Sequence, residues 1–95
     1  METEKNKVTI SGEVVRNFTY SHELYGEKFY TTELMIRRLS GTNDIIPVMA
    51  AEKLIDIKKD YTGCNIIVNG QYRSHNMREN DKNKLILTVF VKEIS

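Results

Sequence analysis

Seven side chains in this sequence could together hold an unpaired polynucleotide: the rings of Tyr20, Tyr25 and Phe29 and the cations Arg37, Arg73, Arg78 and Lys82. Single-strand binding combines base stacking on aromatic faces, at about 1–3 kcal/mol per base, with neutralisation of phosphates by basic side chains. Both contributions require rings and cations on one face, so the set depends on the fold more than on any spacing. The competing structural reading is that Tyr25 and Phe29 complete a subunit contact while the basic residues are simply solvated.

Catalytic chemistry has little to work with. His22 and His75 fall in different predicted loops without the neighbours a metal site needs, and the only cysteine, Cys64, gives no metal spacing. Beside a strand start, Cys64 reads as a small packing residue. Asp56 and Asp60 stand at i and i+4, but the adjacent Lys58 and Lys59 make them a solvated face. No phosphate-cradling glycine motif is present. The expectation is a protein with no catalytic residues, metal or cofactor.

With 95 residues, 40% hydrophobic and 28% charged, the chain has the size and composition of one domain, 1–95, with a modest core. Its polar start, residues 1–5, is expected to fray. No run is long and apolar enough to span a membrane and no signal-peptide pattern follows Met1, which predicts a cytoplasmic protein without a membrane partner. A net charge of +1 argues against a uniformly basic nucleic-acid-binding surface, so any such surface must come from charge placement.

Hydrophobic periodicity supplies the elements. Val8, Ile10, Gly12 and Val14 alternate with polar residues in a first strand, and Arg16 to Gly26 reads as a strand end and surface loop. Lys28 to Leu39 is the longest strand, with Tyr30, Leu34 and Ile36 assigned to the core and Phe29, Thr31, Glu33, Met35 and Arg37 to the other face. After the turn Ser40–Asn43, Asp44 to Ala50 should pair antiparallel with it, Pro47 marking an edge or bulge. Leu54, Ile57 and Tyr61 recur at helical spacing, predicting a helix over 52–61 capped by Gly63. A fourth strand follows through Ile66, Val68 and a bend at Gly70, then a polar hairpin tip, His75 to Asn83. Lys84 to Ile94 is the last strand, with Leu85, Leu87, Val89 and Val91 on one face. Three strands, a short helix and two strands, with glycines inside the first and fourth, is the order of an OB-fold: an all-β, five-stranded Greek-key barrel with one short helix.

At this point the sequence resembles the bacterial single-stranded DNA-binding protein family, including its primosomal replication protein N-like members. The resemblance is carried by Asn6–Gly12 in the first strand, Leu34–Arg38 in the second, Asp44–Val48 in the third and Gly63 with Val68–Ser74 in the fourth. The arrangement Gly63-x-x-x-x-Val68-x-Gly70-x-x-Arg73 is its most specific piece. The family commonly has Trp after the acidic residue of the third strand, where Ile45 stands here, and this sequence has no Trp. Its replication members continue into a flexible tail with an acidic, apolar tip. This chain stops at Ser95 and is expected to be the barrel alone.

The resemblance implies non-sequence-specific binding of single-stranded DNA in replication, repair or primosome-related metabolism, with replication proteins as further partners. On an OB-fold the seven residues would lie across the second and third strands, between walls made by the first–second and fourth–fifth loops. Related barrels pair their first strands, which implies a homodimer or homotetramer, with Val8, Ile10, Met35, Ile45 and Met49 at its interfaces. Near-neutral charge and the absent Trp keep a rival open, an OB-fold module that recognises protein and not nucleic acid. RNA is an alternative ligand, because stacking does not distinguish sugars.

Overall fold

The alternating runs become six strands: β1 (Val8–Val14), β2 (Thr19–Leu24), β3 (Glu27–Arg37), β4 (Asn43–Ala51), β5 (Asn65–Glu79) and β6 (Lys82–Ile94). The computed structural model describes residues 6–95, apart from the side chains at 75, 77 and 79, so the start expected to fray lies outside the described residues. Strand order is β1-β5-β6-β4-β3-β2, and a further β1–β3 pairing, Glu13 with Met35 and Val14 with Leu34, closes a ring of five. β2 hangs on the outer edge of β3. Every pairing is antiparallel except β4–β6, which is parallel through Val48–Val89 and Met49–Phe90. This is the Greek-key barrel expected of an OB-fold.

One face of each strand fills the barrel. Ile10, Val14, Leu34, Val48, Ala50, Ile66, Val68, Val89 and Val91 form a buried cluster with Phe18. Thr32 is buried among them, and its hydroxyl donates to the Arg16 carbonyl, so its polar atom is satisfied. Ile10, expected at a subunit contact, belongs to this core at 7% exposure: it lies opposite Val68, which is fully buried. Glycine is needed where β1 crosses β3, since a Cβ at Gly12 would stand 2.8 Å from the Met35 carbonyl oxygen.

Three expectations need correction. The helix over 52–61 is one 3₁₀ turn, Glu52–Leu54, followed by a crossover. Its apolar residues are spaced by what that segment must cover: Leu54, Ile55 and Tyr61 pack against the core while Ile57 stays 57% exposed. Tyr61 meets Phe18 edge-on at 5.3 Å and takes a hydrogen bond from the Asp56 backbone. Gly63, at φ +81°, sits in the turn that returns to Val14 through bonds of 2.8 Å from Gly63 N–H and to Cys64 C=O. It caps no helix.

The second correction concerns 16–26, which contains a strand. β2 pairs with β3 through a two-residue turn, Tyr25-Gly26, in which both residues have positive φ, 52° and 78°. The third concerns 75–83. β5 and β6 remain paired as far as Glu79 and Lys82, and only Asn80-Asp81, at φ 52° and 61°, form the turn. The hairpin is therefore an arm projecting beyond the barrel, and Leu85 and Leu87, assigned to the same face as Val89, are 68% and 52% exposed.

Pro47 was expected at an edge or a bulge. β4 lies inside the sheet order, but its pairing with β6 begins one residue later, at Val48. A residue without an N–H thus lies outside the β4–β6 ladder while standing opposite Glu33 on β3. At the β3–β4 turn Arg38 donates to both Asp44 carboxylate oxygens, at 2.8 and 2.6 Å, which holds the Asp44 carboxyl below the usual carboxylate range.

Candidate nucleic-acid interface

Strand register brings a second set of side chains together on the outside of the barrel. Thr31 lies opposite Met49, Met49 beside Phe90, and Arg73 opposite Thr88. A hollow of about 250 Å³ runs across these strands, lined by His22, Leu24, Phe29, Met49, Arg73, Ser74, Thr88 and Phe90. A neighbouring hollow of about 250 Å³ shares Met49 and Thr88 and continues past Thr31, Pro47 and Ile86 to Arg16 and Glu33. The two make one trough, walled on one side by the β2–β3 hairpin and on the other by the β5–β6 arm.

Its floor is a row of planar groups. The His22 imidazole stacks on Phe29 with centroids 5.0 Å apart and planes 20° from parallel, and Phe29 meets Phe90 at 5.8 Å. The Arg73 guanidinium carbon stands 4.0 Å over the Phe90 ring. With its amide oxygen turned towards that guanidinium, Gln71 accepts from Arg73 Nε at 3.1 Å and from Nη2 at 3.0 Å. Cation–π and aromatic contacts of this kind contribute roughly 0.5–1.5 kcal/mol each, enough to hold the row in order without a ligand.

Of the seven residues singled out from sequence, the trough unites Phe29 and Arg73. Phe29 lies on the outward face, as expected, but is 7% exposed there because His22 covers it. Tyr20, 54% exposed, leans edge-on against Tyr30, on the face of β3 away from Phe29. Tyr30 in turn donates to Glu52 at 2.9 Å, which raises its phenol above the ordinary value. Tyr25, 99% exposed, is the tip of the β2–β3 hairpin. Arg37 lies at the end of β3, beside Ser11, Gly12 and Asn65 on the far side of the β1–β3 crossing. Arg78 and Lys82 lie near the tip of the arm, Arg78 within 3.9 Å of Asp81.

His22, Leu24 and Phe90 were not singled out. The signal for the first two was the Tyr25-Gly26 turn, which pairs 19–24 with β3 and so places His22 over Phe29. Among the expected interface residues, Met35 faces Ile45 across β3–β4, with Ile45 48% exposed, and Met49 lines the trough. Val8 packs partly against the core. Among the described residues no three His, Cys, Asp or Glu side chains are grouped to hold a metal ion, and no helix is long and apolar enough to cross a membrane.

No family model and no curated protein matches the sequence. Solved structures do. The Plasmodium falciparum SSB in complex with ssDNA superposes with a TM-score of 0.80 at 18% identity, over 100% of this chain and 95% of that one, a likeness that shows the barrel alone. The dimeric N-terminal domain of PriB from Thermoanaerobacter tencongensis superposes with a TM-score of 0.79 at 41% identity. That match covers 97% of this chain and 96% of the other, and with identity so high over nearly the whole barrel the chain belongs to the PriB family of OB-fold proteins.

Proposed function

We propose that the chain is a non-enzymatic protein of DNA replication, a single OB-fold unit acting in the cytoplasm, that binds single-stranded DNA along the trough. The observation that carries this reading is the row His22–Phe29–Phe90–Arg73, which combines planar groups with positive charge on one outer face. The likeness to an SSB solved with ssDNA and membership of the PriB family support it. An unpaired strand fits because its bases are free to stack, whereas a duplex presents phosphates and no ring faces to this floor.

Among the described residues few cations line the trough: Arg73 and Arg16 do, and Arg16 Nε is 3.5 Å from Glu33. Binding is accordingly carried more by stacking than by counterion release. Labelled oligo-dT titrated at several salt concentrations should bind with a shallow log–log slope, roughly −1.4 to −2.1 for two or three neutralised phosphates at −0.7 each. Absence of binding at low salt would defeat the proposal.

Self-association belongs to the same proposal. The PriB domain is dimeric, and residues 8–11 of β1 pair with β5 alone among the described residues, leaving their other edge open. Sedimentation should give a dimer at micromolar concentration. A monomer there would remove this part of the proposal and leave the trough untouched.

A further inference from the structure

The phenylalanine rings of the trough are already covered. Phe29 is 7% exposed with the exposed His22 ring stacked on it, and Phe90 is half-buried with the exposed Arg73 guanidinium over it. The four groups form one contiguous row, stacked at His22–Phe29, tilted by 48° at Phe29–Phe90 and closed by Arg73 over Phe90, so that its two ends are an imidazole and a guanidinium. Both ends are planar and able to stack on a nucleobase, as histidine rings and arginine planes do in single-strand recognition. Neither end is loosely placed: His22 Nδ1 is 3.0 Å from Ser21 Oγ, and Gln71 holds the Arg73 fork.

We infer that bases entering the trough stack on the outward planes of His22 and Arg73, and not on the phenylalanine rings beneath them. This rests on the reading that the trough takes single-stranded DNA, and names the groups that meet it. A base that displaced His22 or Arg73 would exchange one planar contact for another and break the hydrogen bonds that hold the cap. A base that adds to the end of the stack gains a contact and loses none. The same geometry makes Arg73 serve twice, as a plane for the base and as a positive charge near its phosphate, which a lysine cannot reproduce.

The alternative geometry predicts the opposite sign for one substitution, which makes the test sharp. If His22 is a platform, His22→Ala weakens oligo-dT binding by roughly five- to tenfold. If it is only a lid, the same change uncovers Phe29, and binding tightens or stays as it was. Arg73→Lys should weaken binding by roughly fivefold with an unchanged salt slope, because the charge remains and the plane is lost. In the unsubstituted protein the His22 ring protons should move upfield on addition of oligo-dT, and not with an abasic oligodeoxyribose phosphate of equal length. That measurement decides the matter even if a variant folds poorly. Oligo-dT binding with no shift at His22 overturns the inference and leaves the DNA-binding reading standing; no binding by the unsubstituted protein ends both.

Discussion

Gly70→Ala is expected to destabilise the barrel by about 3 kcal/mol or more. Gly70 lies where the β5–β6 register shifts, between the pairs Asn69–Glu93 and Gly70–Val91. A Cβ there would overlap the Phe90 carbonyl oxygen and stand 2.9 Å from the Phe90 carbonyl carbon and 3.1 Å from Val91 Cα. All three atoms are backbone in a paired strand, so no rotamer change relieves the clash and two strands must separate. Urea unfolding should show the loss directly. Because the obstructed residue is Phe90, a stable variant should also bind oligonucleotide poorly. A stability within about 0.5 kcal/mol of the parent protein, the range of ordinary surface changes, would mean that the close approach at Gly70 is not what bends the strand.

Leu34→Ala should cost about 2–5 kcal/mol, the range for emptying a rigid core site. Leu34 is fully buried and lies opposite Val14 on β1 and Ile46 on β4, at the pairing that closes the ring. Removing it opens a cavity at a point where two strands meet through only two residue pairs. For a domain of this size the thermal midpoint should fall by on the order of 10–20 °C. A loss below about 1 kcal/mol would show that the closure repacks around the smaller side chain.

The barrel was legible where burial has a period. β1, β3 and β4 each carry one face into the core, and alternation of β-branched and polar residues records that directly. β2 and the outermost pairing of the β5–β6 arm, read as a tip over 75–83, were not, because every residue of β2 is exposed and the arm runs past the core. With no face to bury, such strands leave no alternation in the sequence, and their pairing depends on positive-φ turns at Tyr25-Gly26 and Asn80-Asp81. Tyr-Gly and Asn-Asp are less conspicuous turn pairs than Asn-Gly. The segment 52–61 misled for the converse reason, since a crossover lying over the barrel end buries residues at intervals that imitate a helix.

The candidate site follows the same rule. Phe29 and Arg73 could be named from strand faces alone, since both point outward by alternation. His22 could not, because its position over Phe29 depends on a β2–β3 pairing with a bulge between Tyr20 and His22. Phe29 faces outward as its place in the alternation implies, but it is covered there by β2, a segment read as a loop.

Parallel pairing between β4 and β6 extends over only two residue pairs, Val48–Val89 and Met49–Phe90. The trough crosses that short joint, with Phe29 and Met49 on one bank and Phe90 and Arg73 on the other. Anything seated there acts as a clasp across one of the ring's two shortest joints, the other being β1–β3. Ligand occupancy and the integrity of the closed barrel are then one linked equilibrium: the strand that is held also holds the protein shut.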